Sequence, residues 1–524
     1  MLPRGMSYDA LRAAIRNEVP EQLNMATQVC DDWAAQDPNR VAIIDLSGES
    51  RRDVSYQDLQ HLSWQVQAAL KVRSVRPGDR VGVLLGQSPL CAAAHIAIWR
   101  LGAISVPLFK LFRQDALASR LDNSGAQVIV SDQEGAGLLG PFDIEIVCQE
   151  HLKPAVPQPM VQTQPEDPAV LIYTSGTTGK PKGALHAHRV LNGHLPGVEM
   201  SHDFIGLEGD VLWTPADWAW IGGLFDVLMP GLALGVPVVA ARMARFNVAE
   251  CLKIIEQANV KNVFFPPTAL RMLRADNASI QGLRTVASGG EPLGSEMLAW
   301  GRRALGVTIN EFYGQTECNM VASACNTLFA AQPGSIGKAV PGFDVAVIDD
   351  DGCRTEKEGD IAIHRGAPSM LLEYWQNPSE TNAKFRGEWM LMGDRGILEN
   401  GYLRFVGRED DVITSAGYRI GPAEIEDCLL THPGVATVGV VGKPDPIRTE
   451  IVKAYIVQKQ GVNLLETDLQ AWVKDRLANY SYPREISFVD ELPMTVTGKV
   501  IRKDLKARAA AEALTYSSNE QEAT

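Results

Sequence analysis

The chain has 524 residues, 45% of them hydrophobic and 21% charged, and carries a formal net charge of −14. This length is too great for one hydrophobic core, so we expect a globular protein of at least two domains. The acidic balance excludes a surface that coats nucleic acid or binds an anionic membrane, since either would need a basic excess.

The first part of the chain alternates short apolar runs with helical patterns. The predicted strands lie at residues 80–85, 103–106, 126–130, 236–240 and 263–265, and the predicted helices at 89–102 and 248–257. Strands that alternate with helices in this way predict an α/β fold with a mainly parallel sheet.

The pattern changes after residue 340. Short β-type runs at 345–348, 360–363 and 403–406, separated by Gly and Asp turns, predict a β subdomain. Beyond it we expect a helix at 422–432, strands at 435–441 and 451–457, and a helix with Leu465, Leu469, Trp472, Val473 and Leu477 on one face. The predicted fold class is therefore α/β. A large N-terminal domain of α/β layers with a β subdomain spans residues 1–409, followed by a small, mobile α+β domain over 410–524.

Three features bear on location and on the end of the chain. The eight cysteines are scattered without metal-site spacing, which predicts reduced, mostly buried thiols. The most apolar window, 92–106, is shorter than the roughly 20 residues of a membrane span, and the first residues lack a signal-peptide pattern, so we expect a cytoplasmic protein without a membrane span. The stretch from residue 509 has almost no large apolar residues, which predicts a frayed tail.

Residues 173–183 read YTSGTTGKPKG and follow an apolar run at 169–172. Glycine, serine and threonine allow amides and hydroxyls to converge on phosphate oxygens, and Lys180 and Lys182 supply positive charge. The loop is not a Walker A motif, because Thr174 stands where its first glycine should be and Pro181 where its Mg²⁺-binding Ser or Thr should be. The segment predicts a phosphate-binding loop, with a flexible glycine-rich turn as the alternative.

This loop closely resembles the signature of the adenylate-forming superfamily, which comprises acyl-CoA synthetases, peptide-synthetase adenylation domains and luciferases. Further motifs that resemble those of the superfamily follow in the expected order across nearly the whole chain: SGGEP at 288–292, YGQTE at 313–317, MGD at 392–394, GREDDV at 407–412 and PMTVTGK at 493–499. The resemblance implies that a carboxylate reacts with ATP to give an acyl-adenylate, and that the thiol of coenzyme A then takes the acyl group.

The resemblance also implies an ATP site. The β- and γ-phosphates would be wrapped by Thr174, Ser175, Gly176, Thr177, Thr178 and Gly179, with Lys182 adding charge. The adenine turn would be Gly290, Glu291 and Pro292, the nucleotide segment Tyr313, Gly314 and Gln315, and the ribose contacts Asp394 and Arg408. Thr316 would contact the α-phosphate and Glu317 would hold Mg²⁺, a hard cation that prefers oxygen ligands.

By the same resemblance, Lys499 is the catalytic lysine, acting with Thr316 and Glu317. Its ammonium would bridge the substrate carboxylate and the α-phosphate where negative charge develops. Because Lys499 lies in the second domain, that domain must close for adenylation and then rotate about a hinge at Asp410. Coenzyme A would then contact Gly417, Tyr418, Arg419 and Arg484, although a solvent-facing structural role is the alternative for both arginines.

The acyl pocket is expected at residues 215–223, 288–290 and 311–314, with Trp218, Trp220, Gly289 and Gly314 as its candidate lining. Acetyl-CoA synthetases, which resemble this chain here, carry a pocket-blocking tryptophan where Gly314 stands. Each buried methylene is worth about 0.8 kcal/mol, so the missing indole predicts a medium-chain, branched or aromatic acid rather than acetate. The two tryptophans could instead be core residues, and Asp217 is the only nearby acid for an amino-acid ammonium.

Several alternatives share these motifs. A standalone adenylation enzyme would load a carrier-protein thiol instead of coenzyme A, and a luciferase would oxygenate its adenylate. A catalytically silent nucleotide sensor would keep the fold without the chemistry. A protein acetyltransferase and deacetylase acting on Lys499 would be regulatory partners, since acetylation removes the charge that adenylation needs.

Overall fold

The computed structural model describes residues 2–16, 18–48, 50–112, 114–174, 181–291, 293–408, 411–415, 418–445, 448–477, 481–494 and 499–521. In chain order the strands are β1 Val41–Asp45, β2 Arg52–Ser55, β3 Arg80–Leu84, β4 Ile104–Pro107, β5 Val128–Ser131, β6 Glu145–Val147, β7 Pro168–Thr174, β8 Lys182–Ala187, β9 Leu212–Trp213, β10 Val238–Ala240, β11 Asn262–Phe264, β12 Thr285–Gly289, β13 Asn310–Gln315, β14 Cys318–Ser323, β15 Gly337–Ala339, β16 Val345–Ile348, β17 Gly359–His364, β18 Glu373–Tyr374, β19 Phe385–Arg386, β20 Trp389–Glu399, β21 Tyr402–Arg408, β22 Ile413–Ser415, β23 Tyr418–Ile420, β24 Val435–Asp445, β25 Thr449–Gln458 and β26 Glu485–Phe488.

Helices lie between and against these strands. They are α1 Tyr8–Ala14, α2 Asp32–Gln36, α3 Tyr56–Val72, α4 Pro89–Arg100, α5 Gln114–Ser124, α6 Gln133–Leu139, α7 Val190–Ser201, α8 Ile221–Gly223, α9 Met229–Ala233, α10 Val248–Ala258, α11 Pro267–Ala275, α12 Ser295–Ala304, α13 Pro378–Ala383, α14 Pro422–Leu430, α15 Glu466–Lys474 and α16 Arg502–Gln521. Thr27–Asp31 and Leu224–Leu228 form π-helical turns, and Gln149–His151 forms a 3₁₀ turn.

The largest sheet runs in the order β16-β17-β20-β21-β15-β14-β13-β12-β11-β9-β10-β1-β2, with β19 paired to β20. Its middle, from β13 to β1, is parallel, and both ends are antiparallel. The strands predicted from the β-type runs are present, but they do not form a separate sheet. They continue the antiparallel end of the large sheet instead.

A second sheet runs β18-β8-β7-β4-β3-β5-β6 and is parallel from β7 to β6. Helix α4 packs between the two sheets and is buried along almost its whole length. Ser88 caps it by accepting the Cys91 N–H at 3.2 Å, with Pro89 at its first position. The predicted β3–α4–β4 unit is confirmed, and the apolar window 92–106 is a core helix and strand. Among the described residues, no helix is long and apolar enough to span a membrane.

The third sheet, β23-β22-β25-β24 with β26 beside β25, forms a small domain with α14, α15 and α16. The predicted class, a large α/β N-terminal domain followed by a small C-terminal one, is confirmed. The boundary between residues 409 and 410 falls outside the described residues and stays a prediction. Seven cysteines are buried and free and Cys353 is exposed, as expected.

Two expectations about the small domain were wrong. Leu465 is not on the face of α15: it precedes the helix as its N-cap residue and is 58% exposed. The tail is not frayed from residue 509, because α16 extends to Gln521. Ala509 is fully buried, and Glu512 accepts a hydrogen bond from Lys453, a buried cation that also binds Glu485 at 2.5 Å. The helix therefore packs through a small buried residue and an ion pair, although its sequence has almost no large apolar side chains.

Candidate active site

The candidate site lies at the carboxyl edge of the parallel strands. β12 and β13 are neighbours, with Gly289 opposite Phe312, so the residues that follow each strand meet at the same edge. Gly290 follows β12 with a φ of +93°, a conformation that favours glycine. Thr316 and Glu317 form the two-residue turn between β13 and β14. The predicted adenine turn and the predicted metal segment are thus brought together.

Lys499 of the small domain reaches this edge. Its Nζ donates a hydrogen bond to the Gly290 carbonyl at 2.8 Å. Lys499 is exposed, and partial desolvation at this contact lowers its pKa, while the negative charges of Glu291 and Asp394 oppose that shift. Glu291 is itself held by Arg271 at 2.8 Å. The small domain is therefore docked with its predicted catalytic lysine against the nucleotide turn of the large domain.

Asp394 and Arg408, the two predicted ribose contacts, are paired across β20 and β21. The Arg408 Nε lies 3.9 Å from Asp394 Oδ1. Tyr313 donates its hydroxyl to Asp394 Oδ2, and Gln315 Nε2 approaches the same oxygen at 3.3 Å. Burial raises the pKa of Asp394 in spite of these partners. Three predicted nucleotide residues thus converge on one carboxylate.

Glu317 is buried, and hydrogen bonds to its side chain and to its backbone carbonyl hold it in place. Its Oε1 accepts the Tyr374 hydroxyl at 2.5 Å, and its carbonyl accepts the Leu371 N–H at 2.7 Å. Among the described residues nothing donates to Oε2, so one carboxylate oxygen is left for another partner. A carboxylate oxygen at this position is the kind of hard ligand that Mg²⁺ prefers.

The phosphate-loop prediction is only partly covered by the structure. β7 and β8 form a hairpin in which Thr174 is opposite Lys182, so the loop connects two antiparallel strands. The predicted residues Ser175, Gly176, Thr177, Thr178 and Gly179 lie outside the described residues, as does Pro292 of the adenine turn. Lys182 Nζ is bound to Glu380 at 2.5 Å. The predicted phosphate lysine therefore already has an acidic partner.

The sequence interpretation missed one cation of this site. Lys384 follows α13 and donates from Nζ to Gln315 Oε1 at 3.0 Å. Burial lowers its pKa, while Glu317 and Asp394 raise it. Its ammonium therefore interacts electrostatically with both Glu317, the predicted metal ligand, and Asp394, the predicted ribose contact. Lys384 lies outside every motif recognised in the sequence, so its place in the site is evident only from its neighbours in the fold.

The segments predicted to form the acyl pocket carry mainly aromatic rings. Trp218 is 1% exposed within the main core, so its interpretation as a core residue fits better than a lining role. Trp220 is half-buried, with its ring 5.6 Å from that of Phe109. A Cβ at Gly289 would lie 2.6 Å from the Phe312 ring, so only glycine fits there without a shift. Asp217 accepts the Ala219 N–H at 2.9 Å, and burial raises its pKa to about 6.

Gly314 does not leave an empty space, contrary to our expectation. A Cβ built there would overlap Asn319 Oδ1 and lie 2.8 Å from Asn319 Cα. Asn319 Nδ2 in turn donates to both oxygens of the buried Asp226 at 2.9 Å, and His194 Nδ1 lies 3.1 Å from Asp226 Oδ1. The volume directly beside the glycine is filled by this polar network. None of its members was predicted.

The predictions for the hinge and coenzyme A are untested. Asp410 and Gly417 lie outside the described residues, and Tyr418 and Arg419 belong to β23 without described side chains. The Arg484 guanidinium donates to the Tyr482 hydroxyl at 3.1 Å, with its carbon 5.0 Å from that ring. The contacts described for this arginine lie within the small domain.

Comparison with known proteins gives consistent matches. Residues 30–375 match the AMP-binding enzyme family, and residues 424–499 match the AMP-binding enzyme C-terminal domain. The chain is 35% identical to the mitochondrial acyl-coenzyme A synthetase ACSM4 of Rattus norvegicus, over 96% of this chain and 93% of that protein. It is 33% identical to the acetyl-coenzyme A synthetase of Bacillus subtilis, over 93% of this chain and 90% of that one. The solved anthranilate CoA ligase AuaEII in complex with anthranoyl-AMP superposes with a TM-score of 0.85 at 27% identity, over 95% of this chain and 99% of that one.

These matches span both domains, which meet in the structure where Lys499 contacts Gly290. They also agree with the resemblance that the sequence motifs carry. The relatives are acyl-CoA synthetases, which are AMP-forming ligases. The chain therefore belongs to the AMP-binding enzyme family, within its AMP-forming acyl-CoA synthetases.

Proposed function

We propose that the chain is a freestanding, ATP-dependent ligase that joins a medium-chain, branched or aromatic monocarboxylic acid to coenzyme A. The observation that carries the reaction is the contact of Lys499 Nζ with the Gly290 carbonyl at 2.8 Å. It brings a cation of one domain to the nucleotide turn of the other, beside Asp394 and Arg408.

In the first step an oxygen of the carboxylate attacks the α-phosphorus of ATP, and the bond to pyrophosphate breaks. Two anions must approach each other, so cations and hydrogen-bond donors have to offset their repulsion. Lys499 and Thr316 serve the α-phosphate and the carboxylate, and Lys182 serves the β- and γ-phosphates after leaving Glu380. Glu317 would hold Mg²⁺, which supplies further neutralisation of the phosphate charge when bound.

In the second step the thiolate of coenzyme A attacks the acyl carbonyl, and AMP leaves. Lys499 then obstructs the approach of the thiol, so the small domain rotates about Asp410. Gly417 gives the pantetheine arm passage along a backbone without a side chain. Tyr418, Arg419 and Arg484 are the candidate contacts for coenzyme A after this rotation.

The aromatic rings near the predicted acyl pocket support the proposal that the substrate is an acid larger than acetate. Phe264 and Phe312 lie 5.2 Å apart at the carboxyl edge, and Trp220 packs on Phe109. Asn319 fills the space beside Gly314, but its side chain is much smaller than an indole. The proposal of a larger acid therefore rests on these apolar surfaces, since each buried carbon is worth about 0.8 kcal/mol.

The test is product analysis with the purified chain, ATP, Mg²⁺ and coenzyme A across acetate, butyrate, 2-methylbutyrate, octanoate and benzoate. We expect acid-dependent AMP and acyl-CoA, with kcat/KM for at least one larger acid about tenfold above that for acetate. A preference for acetate would overturn the substrate class. Adenylate without thioester would point to a carrier-protein thiol, and no AMP with any acid would revive the silent nucleotide sensor. The cytoplasmic location and an acetyltransferase and deacetylase acting on Lys499 stay predictions.

A further inference from the structure

Asp226 is a buried carboxylate held by neutral donors and an imidazole. It lies in the π-helical turn Leu224–Leu228 and is 2% exposed. Both of its oxygens accept from Asn319 Nδ2, and Oδ1 also faces His194 Nδ1. His194 and Asn319 are 0% and 4% exposed, so the three groups form one buried network. Burial raises the pKa of Asp226, and its two partners oppose that shift.

The network touches two segments in which the acyl pocket is expected. Asn319 occupies the space beside Gly314, as described above. A Cβ at Gly222 would lie 3.6 Å from Asp226 Oδ2 and 3.0 Å from the Phe264 ring. Asn319 and Asp226 therefore form the wall where these two segments approach each other.

The orientation of the Asn319 amide follows from its partner. Its NH₂ group must face the Asp226 carboxylate, because the reversed amide would place two acceptors against each other. The amide oxygen consequently points to the Gly314 side. Among the described residues no donor reaches Asn319 Oδ1, and the residue keeps 4% of its surface exposed.

We propose that Asn319, held by Asp226 and His194, is a specificity-determining residue of the acyl pocket. Its Oδ1 accepts a hydrogen bond from the end of the acid that is remote from the reacting carboxylate. The preferred acids then carry a hydroxyl or amino group at that end. This inference rests on the proposed ligase function and narrows its substrate class.

The experiment compares pairs of acids that differ only in the donor. We choose 4-hydroxybutyrate against pentanoate, and 4-hydroxybenzoate against 4-methylbenzoate, and measure kcat/KM for acyl-CoA formation. One net hydrogen bond predicts that the wild-type chain favours the donor-bearing member of at least one pair by about 3- to 10-fold. Asn319→Leu keeps a similar volume without the acceptor, so the ratio should fall to one or below. The KM for ATP should stay within about twofold, since the nucleotide end is unchanged.

A second variant tests whether the effect of Asn319→Leu comes from misfolding rather than from the lost acceptor. Asn319→Leu leaves the Asp226 carboxylate without its amide donor, whereas Asn319→Leu combined with Asp226→Asn removes that charge as well and should show the same loss of preference. Asn326→Leu is the control, because Asn326 donates to the Thr308 carbonyl and to Asn310, away from Gly314. Its ratio should equal that of the wild type.

The outcomes separate the two proposals. An active ligase with a ratio of one or less for both pairs would overturn the role of Asn319 and leave the proposed function standing. So would a donor preference that survives in the folded Asn319 variants. Absence of AMP with every acid would instead remove the proposed function itself, and the inference with it.

Discussion

The two ends of the candidate site are built from different chemistry. At the predicted nucleotide end, charged side chains are held by direct contacts: Glu317 accepts from the Tyr374 hydroxyl, Asp394 accepts from the Tyr313 hydroxyl, and Lys182 pairs with Glu380. At the predicted acyl end, aromatic rings and glycines lie beside a buried polar network of Asn319, Asp226 and His194. The first end is organised by hydrogen bonds and ion pairs of its carboxylates and lysine, and the second mainly by apolar packing around a buried polar network.

This difference predicts two kinds of defect. ATP is common to all turnovers, so a change at the nucleotide end should slow the reaction by the same factor for every acid. A change at the acyl end should instead alter the ratio between acids. Variants can therefore be sorted by whether their effect depends on the acid supplied.

The largest effect is expected for Lys499→Ala. Removing a donor from the place where charge develops costs about 10²- to 10³-fold, and we expect that loss in acid-dependent ATP–pyrophosphate exchange with each acid. Thioester formation from preformed acyl-adenylate should be much less affected. Lys503→Ala, an exposed lysine of α16, is the control and should behave as wild type. Exchange within twofold of wild type would show that Lys499 does not serve adenylation.

Tyr374→Phe should have the next largest effect. It removes the hydroxyl that orients the Glu317 carboxylate, and such supporting contacts are worth about 10-fold in metal affinity. We expect the Mg²⁺ concentration for half-maximal activity to rise by about that factor, equally with each acid. Tyr402→Phe provides the matched control, since its hydroxyl donates to the Ala330 carbonyl at the surface. An unchanged Mg²⁺ dependence would argue against Glu317 as the metal ligand.

Lys384→Met should have a smaller effect on nucleotide binding. The variant keeps an aliphatic side chain but loses the ammonium near Glu317 and Asp394. We expect the KM for ATP to rise about 3- to 10-fold while the preference among acids stays constant. The exposed Lys357→Met serves for comparison. A changed ratio between acids with a constant KM would assign Lys384 to the acyl end instead.

Acid should destabilise the fold through buried histidines. Burial lowers the pKa of His95, His186 and His202 to about 3 from the ordinary 6.5. Between these values the unfolded chain binds more protons than the folded one, so stability is present above pH 6.5 and falls as the pH drops toward 3. Each histidine contributes a slope of up to about 1.4 kcal/mol per pH unit.

The measurement is Tm by scanning calorimetry from pH 8 to pH 5. His95→Leu is the informative variant because, in the part of the chain that the structure describes, neither ring nitrogen of His95 has a hydrogen-bond partner. Its Tm should fall less steeply with acidification than that of the wild type. Equal slopes would mean that His95 does not remain neutral in the folded chain.

Much of the fold could be predicted from the sequence, as could the grouping of several predicted nucleotide residues at one edge of the sheet. The β3–α4–β4 unit has short apolar runs around a capped helix, and each signal lies within a few residues. The turn of Thr316 and Glu317 lies inside one contiguous motif, so residues that the fold places together are already neighbours in the sequence. Local patterns were enough in both cases.

The remaining features depend on contacts between distant residues. Asn319 meets Asp226 across 93 positions and His194 is 32 positions from Asp226, with no periodic pattern that links them. The helix α16 was missed because its packing uses Ala509 and a buried ion pair rather than large apolar residues. The glycine at 314 suggested open space, yet only the fold shows which neighbour fills it.

The most direct test of the two-step account is a single-turnover experiment without coenzyme A. Enzyme in excess over a preferred acid, with ATP and Mg²⁺, should release about one pyrophosphate per acid and retain acyl-adenylate. Later addition of coenzyme A should then convert that adenylate to acyl-CoA and AMP. Pyrophosphate release that does not depend on the acid, or a retained adenylate that coenzyme A does not discharge, would contradict the account.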